Sequence, residues 1–243
     1  MEFSYGATWD DTVRMFRAHA SLIAAVAGVF IFLPAVLISY FQPPPEEQSG
    51  QLFQQMIDYF KSNLHWFILQ RLIQMIGAIA ILLLVFGRGQ ITVGAAIVSG
   101  AVLLPSYFAA SAISGITIGI GFFLLIVPGL YLVGRLMLSS VVVVAENRWN
   151  PIAAIQRSFD LTKGHGWAIV GLILLVAIAG AICVMAITSV LGIMLLLIAG
   201  GLGKLLLLIL SAALSSMLTV LLLLLCAAIY RQLTADSSRD VFN

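Results

Sequence analysis

The sequence predicts an all-α, polytopic membrane protein with six transmembrane helices and two or three short interfacial amphipathic helices. Of the 243 residues, 62% are hydrophobic and only 9% are charged, and the mean hydropathy is +1.12. A soluble domain has roughly 25% charged residues, so this much apolar surface requires the bilayer as its solvent. Segments 205–210 and 221–225 are apolar at every position. Because strands of a membrane barrel alternate apolar and polar residues, the spans are helices.

Six segments supply the roughly 20 apolar residues that a spanning helix needs. Prolines 43–45 end the first segment, and the Gly-Arg-Gly-Gln sequence at 87–90 follows the second. Pro128-Gly129 separates the third from the fourth, and glycines beside Lys204 separate the fifth from the sixth. The chain is therefore predicted to be a single membrane domain, residues 1–243. Its spans are 21–41, 64–86, 105–127, 129–145, 167–191 and 204–230.

Three further segments, 8–19, 151–162 and 92–104, are predicted to be helices on the membrane surface. In the first two, apolar residues recur at helical spacing and charged residues lie elsewhere on the helical wheel. These apolar stripes are Trp9, Val13 and Phe16 in the first segment and Ile152, Ile155 and Phe159 in the second. Pro151 suits the first turn of a helix. Segment 92–104 is the weaker case because it is small and apolar nearly all round.

Lysine and arginine in the short loops predict the orientation, because cytoplasmic loops carry an excess of these residues. With the N-terminus inside, the inner face carries eight of them: Arg14, Arg17, Arg88, Arg148, Arg157, Lys163, Arg231 and Arg239. The outer face carries Lys61 and Lys204. Both termini are therefore predicted to face the cytoplasm.

The predicted spans contain no carboxylate. No Asp or Glu occurs between Asp58 and Glu146, or between Asp160 and Asp236. Transporters driven by protons or sodium commonly place a carboxylate within the membrane. The sequence therefore disfavours such coupling.

Two arginines, Arg71 and Arg135, do lie within predicted spans, and Gln70 and Gln74 flank Arg71 at one helical turn. An unpaired arginine in lipid costs at least about 2.5–3.5 kcal/mol, so it usually has a partner, a function or a route to the interface. In one interpretation the arginines hydrogen-bond to carbonyls near the Pro128-Gly129 break and to the glutamines. In a second, the four residues form a cationic pocket for a lipid phosphate or another anionic ligand. In a third, the arginine side chains simply extend to the membrane interface.

Other residue patterns indicate packing rather than chemistry. Ser111, Gly115 and Gly119 fall four apart, which is typical of close helix contacts, and Cys183 and Cys226 are interpreted as small buried hydrophobic residues. The sequence has no nucleotide-binding loop and no zinc-protease or nucleophile-elbow motif. We expect no enzyme activity, no metal and no cofactor. The net charge of +2 gives no reason to expect a nucleic-acid partner.

Three motifs occur in the chain: Leu-Ile-Val-Pro-Gly-Leu-Tyr-Leu-Val-Gly-Arg at 125–135, Arg-Ser-x-x-Leu-Thr-x-Gly at 157–164 and Asp-Thr-x-x-x-Phe-Arg at 11–17. With these motifs the sequence resembles the YciC-like family of bacterial inner-membrane proteins and the related membrane domain of some glycerophosphodiester phosphodiesterases. The resemblance implies a six-helix inner-membrane protein and supplies no activity. The signature positions that it implies, besides Arg135, are Pro128, Gly129, Glu146, Arg157, Ser158, Leu161, Thr162 and Gly164.

Taken together, these features predict a non-enzymatic inner-membrane protein that binds or handles anionic lipid or supports envelope integrity. The alternative is a small-molecule or peptide permease, for example for export of, or immunity to, a membrane-active compound. A third reading is a membrane enzyme that acts on lipid headgroups. Expected partners are membrane lipids, with a second copy or another membrane protein as the protein partner.

Overall fold

The computed structural model describes residues 3–43, 52–87 and 93–240, and these are helical with short connections. The predicted connections at 44–47 and 88–92 lie outside the described residues. Nine α-helices and one π-helical segment occur in the described ranges. They are α1 Tyr5–Ala18, α2 Ala20–Ala27, the π-helical segment Gly28–Phe32, α3 Leu33–Phe41, α4 Leu52–Phe86, α5 Val93–Leu124, α6 Ile126–Leu136, α7 Ser139–Ala145, α8 Pro151–Leu161 and α9 Gly166–Asp240.

The prediction of an all-α protein with six transmembrane helices is confirmed. Six helical stretches of the described chain are long and apolar enough to cross a membrane. They are Ala20–Phe41, Phe53–Phe86, Gly94–Leu124, Ile126–Ala145, Gly166–Leu195 and Gly201–Ala235.

The last two of these stretches form a helical hairpin within α9. Helical assignment is continuous over its 75 residues, yet a β-carbon built on Gly192 would lie 3.1 Å from Leu207 Cδ1. On a straight helix these residues would be about 22 Å apart. The chain therefore reverses between Gly192 and Leu207, the interval that contains the glycines predicted to separate the fifth and sixth spans.

The second span is longer than predicted. Its helix, α4, begins at Leu52 rather than near residue 64 and has 35 residues, a length of about 52 Å. Polar residues such as Asp58 and Lys61 suggested a loop there, but they lie on exposed positions of the helix. Tyr59 ties this extension to the first span, because its hydroxyl donates a hydrogen bond to the Gln42 carbonyl at 2.7 Å.

The prediction of a separate surface helix at 92–104 is wrong. Residues from Val93 onward are the first part of α5, which continues through Pro105 to Leu124. Ala96 and Leu103 are buried, and Gly100 lies against Ile79 of α4. Burial against α4 therefore makes this segment part of the bundle rather than a separate helix at the surface.

The break between the third and fourth spans is at Leu125, not at Pro128-Gly129. Leu125 is extended (φ −161°, ψ 152°) and caps α6. Pro128 lies in the first turn of α6, where its missing N–H removes no intrahelical hydrogen bond. Gly129 faces Phe122 so closely that a β-carbon would lie 2.6 Å from the ring. The fourth span itself is two helices, α6 and α7, joined at Met137 and Leu138.

Helices form over the two other predicted surface segments, and each packs on the bundle mainly through residues outside its apolar stripe. In α1 the buried residues are Thr8, Thr12 and Met15, while Trp9 and Phe16 of the apolar stripe stay 42% and 39% exposed. In α8 they are Ala154, Ser158 and Leu161. Each helix thus packs one face against the bundle and leaves apolar side chains exposed on another face. This arrangement is typical of helices at a membrane interface.

The core is centred on α7. Ser139 and the four valines that follow Ser140 are buried, and they pack with buried side chains of α4, α5 and α9. A second cluster packs the first span against α4, with Ile23, Val26 and Ile81 almost fully buried. The bundle is thus held by apolar contacts around one short central helix.

Candidate functional site

A cavity of about 430 Å³ lies within the bundle, and Arg71 is one of its lining residues. Its walls come from α4, α5, the α6–α7 joint, the second arm of α9 and the π-helical segment. This volume is in the range of ligand pockets, roughly 300–1,000 Å³. The polar residues that line it are Arg71, Gln74, Tyr107, Ser111, Ser114, Ser139, Ser140 and Thr219.

One stripe of α4 supplies the cationic wall. Arg71, Gln74, Met75 and Ala78 line the cavity, and they recur at the i, i+3, i+4, i+7 spacing of one helix face. Gln70 lies about 100° around the helix from Arg71 and lines a separate apolar groove with residues of α3. Of the four residues predicted to form one pocket, only Arg71 and Gln74 reach this cavity.

Arg71 is exposed, and no described residue accepts a hydrogen bond from it or forms an ion pair with it. The Tyr107 hydroxyl, beside Ser140, is close enough to interact electrostatically with it. Three other hydroxyls are already engaged: Ser114 and Ser139 share a hydrogen bond of 2.9 Å, and Thr219 donates to the Ser215 carbonyl at 2.9 Å. The guanidinium is therefore the strongest donor left open to a ligand.

Arg135 lies outside this cavity, which corrects the prediction that the two arginines share a pocket. Its guanidinium carbon is 5.0 Å from the centre of the Phe159 ring and 5.7 Å from that of Tyr131. Its Nε and Nη1 atoms are buried, and no described residue accepts a hydrogen bond from them. Since Ser158 Oγ also donates to the Arg135 carbonyl at 2.6 Å, this residue joins α6 to α8.

Glu146 is the centre of a polar cluster where α7 ends. Its carboxylate accepts hydrogen bonds from Arg148 at 2.6 Å, Arg157 at 3.0 Å and the Tyr230 hydroxyl at 3.1 Å. Burial raises the pKa of Glu146, but the hydrogen bonds from Arg157 and Arg148 outweigh it, and the pKa is lowered overall. The glutamate is thus held ionised. Because Glu146 and Asp160 are the carboxylates nearest to Arg157 in the sequence, the sequence predicts that Arg157 lies near one of them. The contact with Glu146 confirms this.

Most other signature positions shape the two ends of α8. Ser158, Leu161 and Thr162 are buried, and Thr162 Oγ1 donates to the Ser158 carbonyl at 2.7 Å. Gly164 has φ +83°, a conformation that side-chain-bearing residues rarely adopt. At the other end, the Asn150 side chain caps the helix by accepting from the Ile152 and Ala153 amides. These positions fix a surface helix and do not line the cavity.

Sequence reasoning missed the α5 and α7 walls of the cavity. The small-residue row was interpreted as helix packing, yet Ser111 and Gly115 line the cavity. A β-carbon on Gly115 or Gly119 would meet no atom within 4 Å. Of the cysteines, Cys226 is buried and Cys183 is exposed. The available signal was the number of hydroxyl residues inside apolar spans, since such groups seek polar partners in lipid.

No family model, curated protein or solved structure matches this chain. The resemblance to the YciC-like family therefore stays a prediction from the sequence. The cavity has to be interpreted from its own geometry.

Proposed function

We propose that this protein binds the anionic group of a ligand, with a phospholipid headgroup as the leading candidate, in the Arg71 cavity. The observation that carries the proposal is that Arg71 lines a cavity between the spans with no carboxylate among the residues around it. An unpaired guanidinium in a membrane is costly. A bound anion would remove that cost.

The chemistry around Arg71 suits an oxyanion. A guanidinium offers five N–H donors in a planar fork that matches phosphate and carboxylate. The Gln74 amide adds donors from the same face of α4, and Ser111 adds one from α5. The cavity thus presents donors from two helices around one positive charge.

Binding is proposed rather than catalysis. The buried hydroxyls of Ser114 and Ser139 are bonded to each other, whereas an activated serine is paired with a general base. In this proposal the protein handles or senses anionic lipid, or supports envelope integrity through it.

The same proposal places the protein in the bacterial inner membrane with both termini in the cytoplasm. The lysine and arginine bias supports this orientation. Three exposed tryptophans, Trp9, Trp149 and Trp167, lie in segments assigned to the cytoplasmic side, and Trp66 lies towards the other end of its span. Tryptophans at both interfaces are typical of membrane proteins. A periplasmic reporter fused after Asn243 should stay inactive, and activity there would contradict the orientation.

Native mass spectrometry of the detergent-purified protein tests the lipid proposal. Arg71→Ala should reduce bound anionic phospholipid per folded protein and leave zwitterionic lipid unchanged. Arg71→Lys should rescue binding in part, because it keeps the charge and loses the fork. Arg135→Ala is the matched control and should lower thermal stability without changing bound lipid. An unchanged lipid ratio in Arg71→Ala would overturn the proposal. If that variant instead stopped movement of an anionic solute into proteoliposomes, the permease would replace it.

A further inference from the structure

We infer that the Arg71 cavity selects a ligand group with a single negative charge, specifically a phosphodiester, over a phosphomonoester or another dianion. The inference rests on the proposed function, since it defines the chemical class of the ligand for the same cavity. It depends on the charge of the cavity wall and on which helices carry the hydrogen-bond donors that line the cavity.

The cavity wall carries one charge. Among the described residues that line it, Arg71 is the only arginine, lysine, histidine, aspartate or glutamate. Glu146, which is ionised, is engaged by two arginines at the end of α7 and is not part of the wall. The site therefore compensates one negative charge and no more.

Charge matching matters more here than at a water-exposed site. Most of the wall is apolar, with residues such as Ile31, Ile118 and Leu222, and the cavity is inside a helix bundle that spans the membrane. In such surroundings a charge without a counter-charge is strongly disfavoured. A dianion bound to Arg71 would keep one uncompensated charge, whereas a phosphodiester would leave none.

The placement of the donors favours a tetrahedral group over a planar one. Arg71 and Gln74 stand on α4, Tyr107 and Ser111 on α5, and Ser140 on α7. Polar groups from three helices thus line the cavity, rather than one flat edge of donors. A phosphodiester directs two non-bridging and two ester oxygens to different sides, whereas a carboxylate presents two oxygens in one plane.

Two molecules could present this group, a phospholipid such as phosphatidylglycerol and a water-soluble glycerophosphodiester. The experiment compares binding to the purified wild-type protein of phosphatidylglycerol, phosphatidylcholine and phosphatidic acid, with glycerophosphoglycerol as the soluble arm. The phosphomonoester of phosphatidic acid has a charge of about −1.5 to −2 at pH 7. We expect phosphatidylglycerol to bind at least about tenfold more tightly than phosphatidic acid. Tighter binding of the soluble diester than of the lipid would identify the free molecule as the source.

A matched pair of variants tests the charge argument directly. Gln74→Arg adds a second cation to the cavity wall and should shift the preference towards phosphatidic acid by at least about tenfold. Gln70→Arg adds the same charge one turn away along α4, in the separate groove outside the cavity, and should leave the preference unchanged.

The outcomes separate this inference from the proposed function. If Arg71→Ala abolishes binding but the wild-type protein prefers phosphatidic acid, the charge-matching inference is overturned and the proposed function stands. An equal shift in Gln74→Arg and Gln70→Arg would also overturn the inference, because the added charge would then act from outside the cavity. If Arg71→Ala changes the binding of none of these molecules, the proposed function fails as well.

Discussion

The Arg157 guanidinium donates a hydrogen bond to the Glu146 carboxylate at 3.0 Å and so joins α8 to the end of α7. Arg148 and Tyr230 donate hydrogen bonds to the same carboxylate. Because Tyr230 is in the second arm of α9, this arm is also linked to the end of α7. Ser139, the first residue of α7, lines the cavity, and Glu146 caps the other end of this helix. One short helix therefore connects the cavity to the polar cluster around Glu146.

Replacing this carboxylate should weaken the attachment of α8. Glu146→Gln removes both ion pairs and leaves a group that can still accept from Tyr230. Since the two arginines are partly exposed, we expect a loss of only about 1–2 kcal/mol in the free energy of unfolding. The measurement is thermal unfolding in detergent. Asp160→Asn, an exposed carboxylate on the same helix, is the control, and equal losses in both variants would contradict the prediction.

The lowered pKa of Glu146 predicts a pH dependence. A carboxyl whose folded-state pKa is below its unfolded value stabilises the protein at pH values above the unfolded pKa. That contribution is lost as the pH falls through the folded pKa. The stability difference between wild type and Glu146→Gln should therefore be full at pH 7 and shrink below about pH 4.5. A difference that stays constant from pH 7 to pH 3 would mean that the ion pairs contribute nothing.

Close approach of two helices at Gly134 gives a third prediction. A β-carbon on Gly134 would lie 2.5 Å from the Gly166 carbonyl oxygen and from a Val170 methyl group, so Gly134→Ala forces α6 away from α9. We expect a loss of about 1–3 kcal/mol, measured as a lower unfolding temperature. Gly119→Ala is the control. A β-carbon on Gly119 of α5 would meet no atom within 4 Å, so this substitution should be neutral or stabilising by up to about 1 kcal/mol. Equal destabilisation by both would rule out a specific contact at Gly134.

The number of spans and the contact between Arg157 and Glu146 could be predicted from the sequence, because hydropathy and charge pairing between nearby residues are local properties. The starts of the second and third spans could not, since both helices begin about 11 residues before the predicted spans. The position of the third helix break could not, since Pro128 is compatible with both a break and a first turn. Burial of 93–104 depends on contact with α4, and no pattern within that segment encodes it. The sequence likewise placed Arg71 in the second span and Arg135 in the fourth, without information on the direction in which each side chain points.

Two of the four predicted site residues, Arg71 and Gln74, line the cavity. Arg71 and Gln74 share a helix face, so their proximity follows from spacing alone. Arg135 was an equally good candidate for the site in the sequence, because it also lacks an acidic partner within the membrane. In the structure its guanidinium lies against aromatic rings of α6 and α8. Tyr131 is one turn from Arg135 in sequence, whereas Phe159 comes from 24 residues away. Only the tertiary structure shows that aromatic rings from two helices lie against this guanidinium.

The positive potential of the cavity can be tested without any lipid. In a variant with both native cysteines changed to serine, Ser111→Cys places one thiol on the cavity wall with Arg71. A negatively charged methanethiosulfonate should modify this thiol several-fold faster than a positively charged one, because the guanidinium attracts the first reagent and repels the second. The added substitution Arg71→Ala should bring the two rates together.

The control thiol is Cys183, which is exposed on α9 and lies outside the cavity. It is measured in the single variant Cys226→Ser, and adding Arg71→Ala should leave the ratio of its two modification rates unchanged. A ratio at Ser111→Cys that did not respond to Arg71→Ala would show that Arg71 does not set the potential of the cavity.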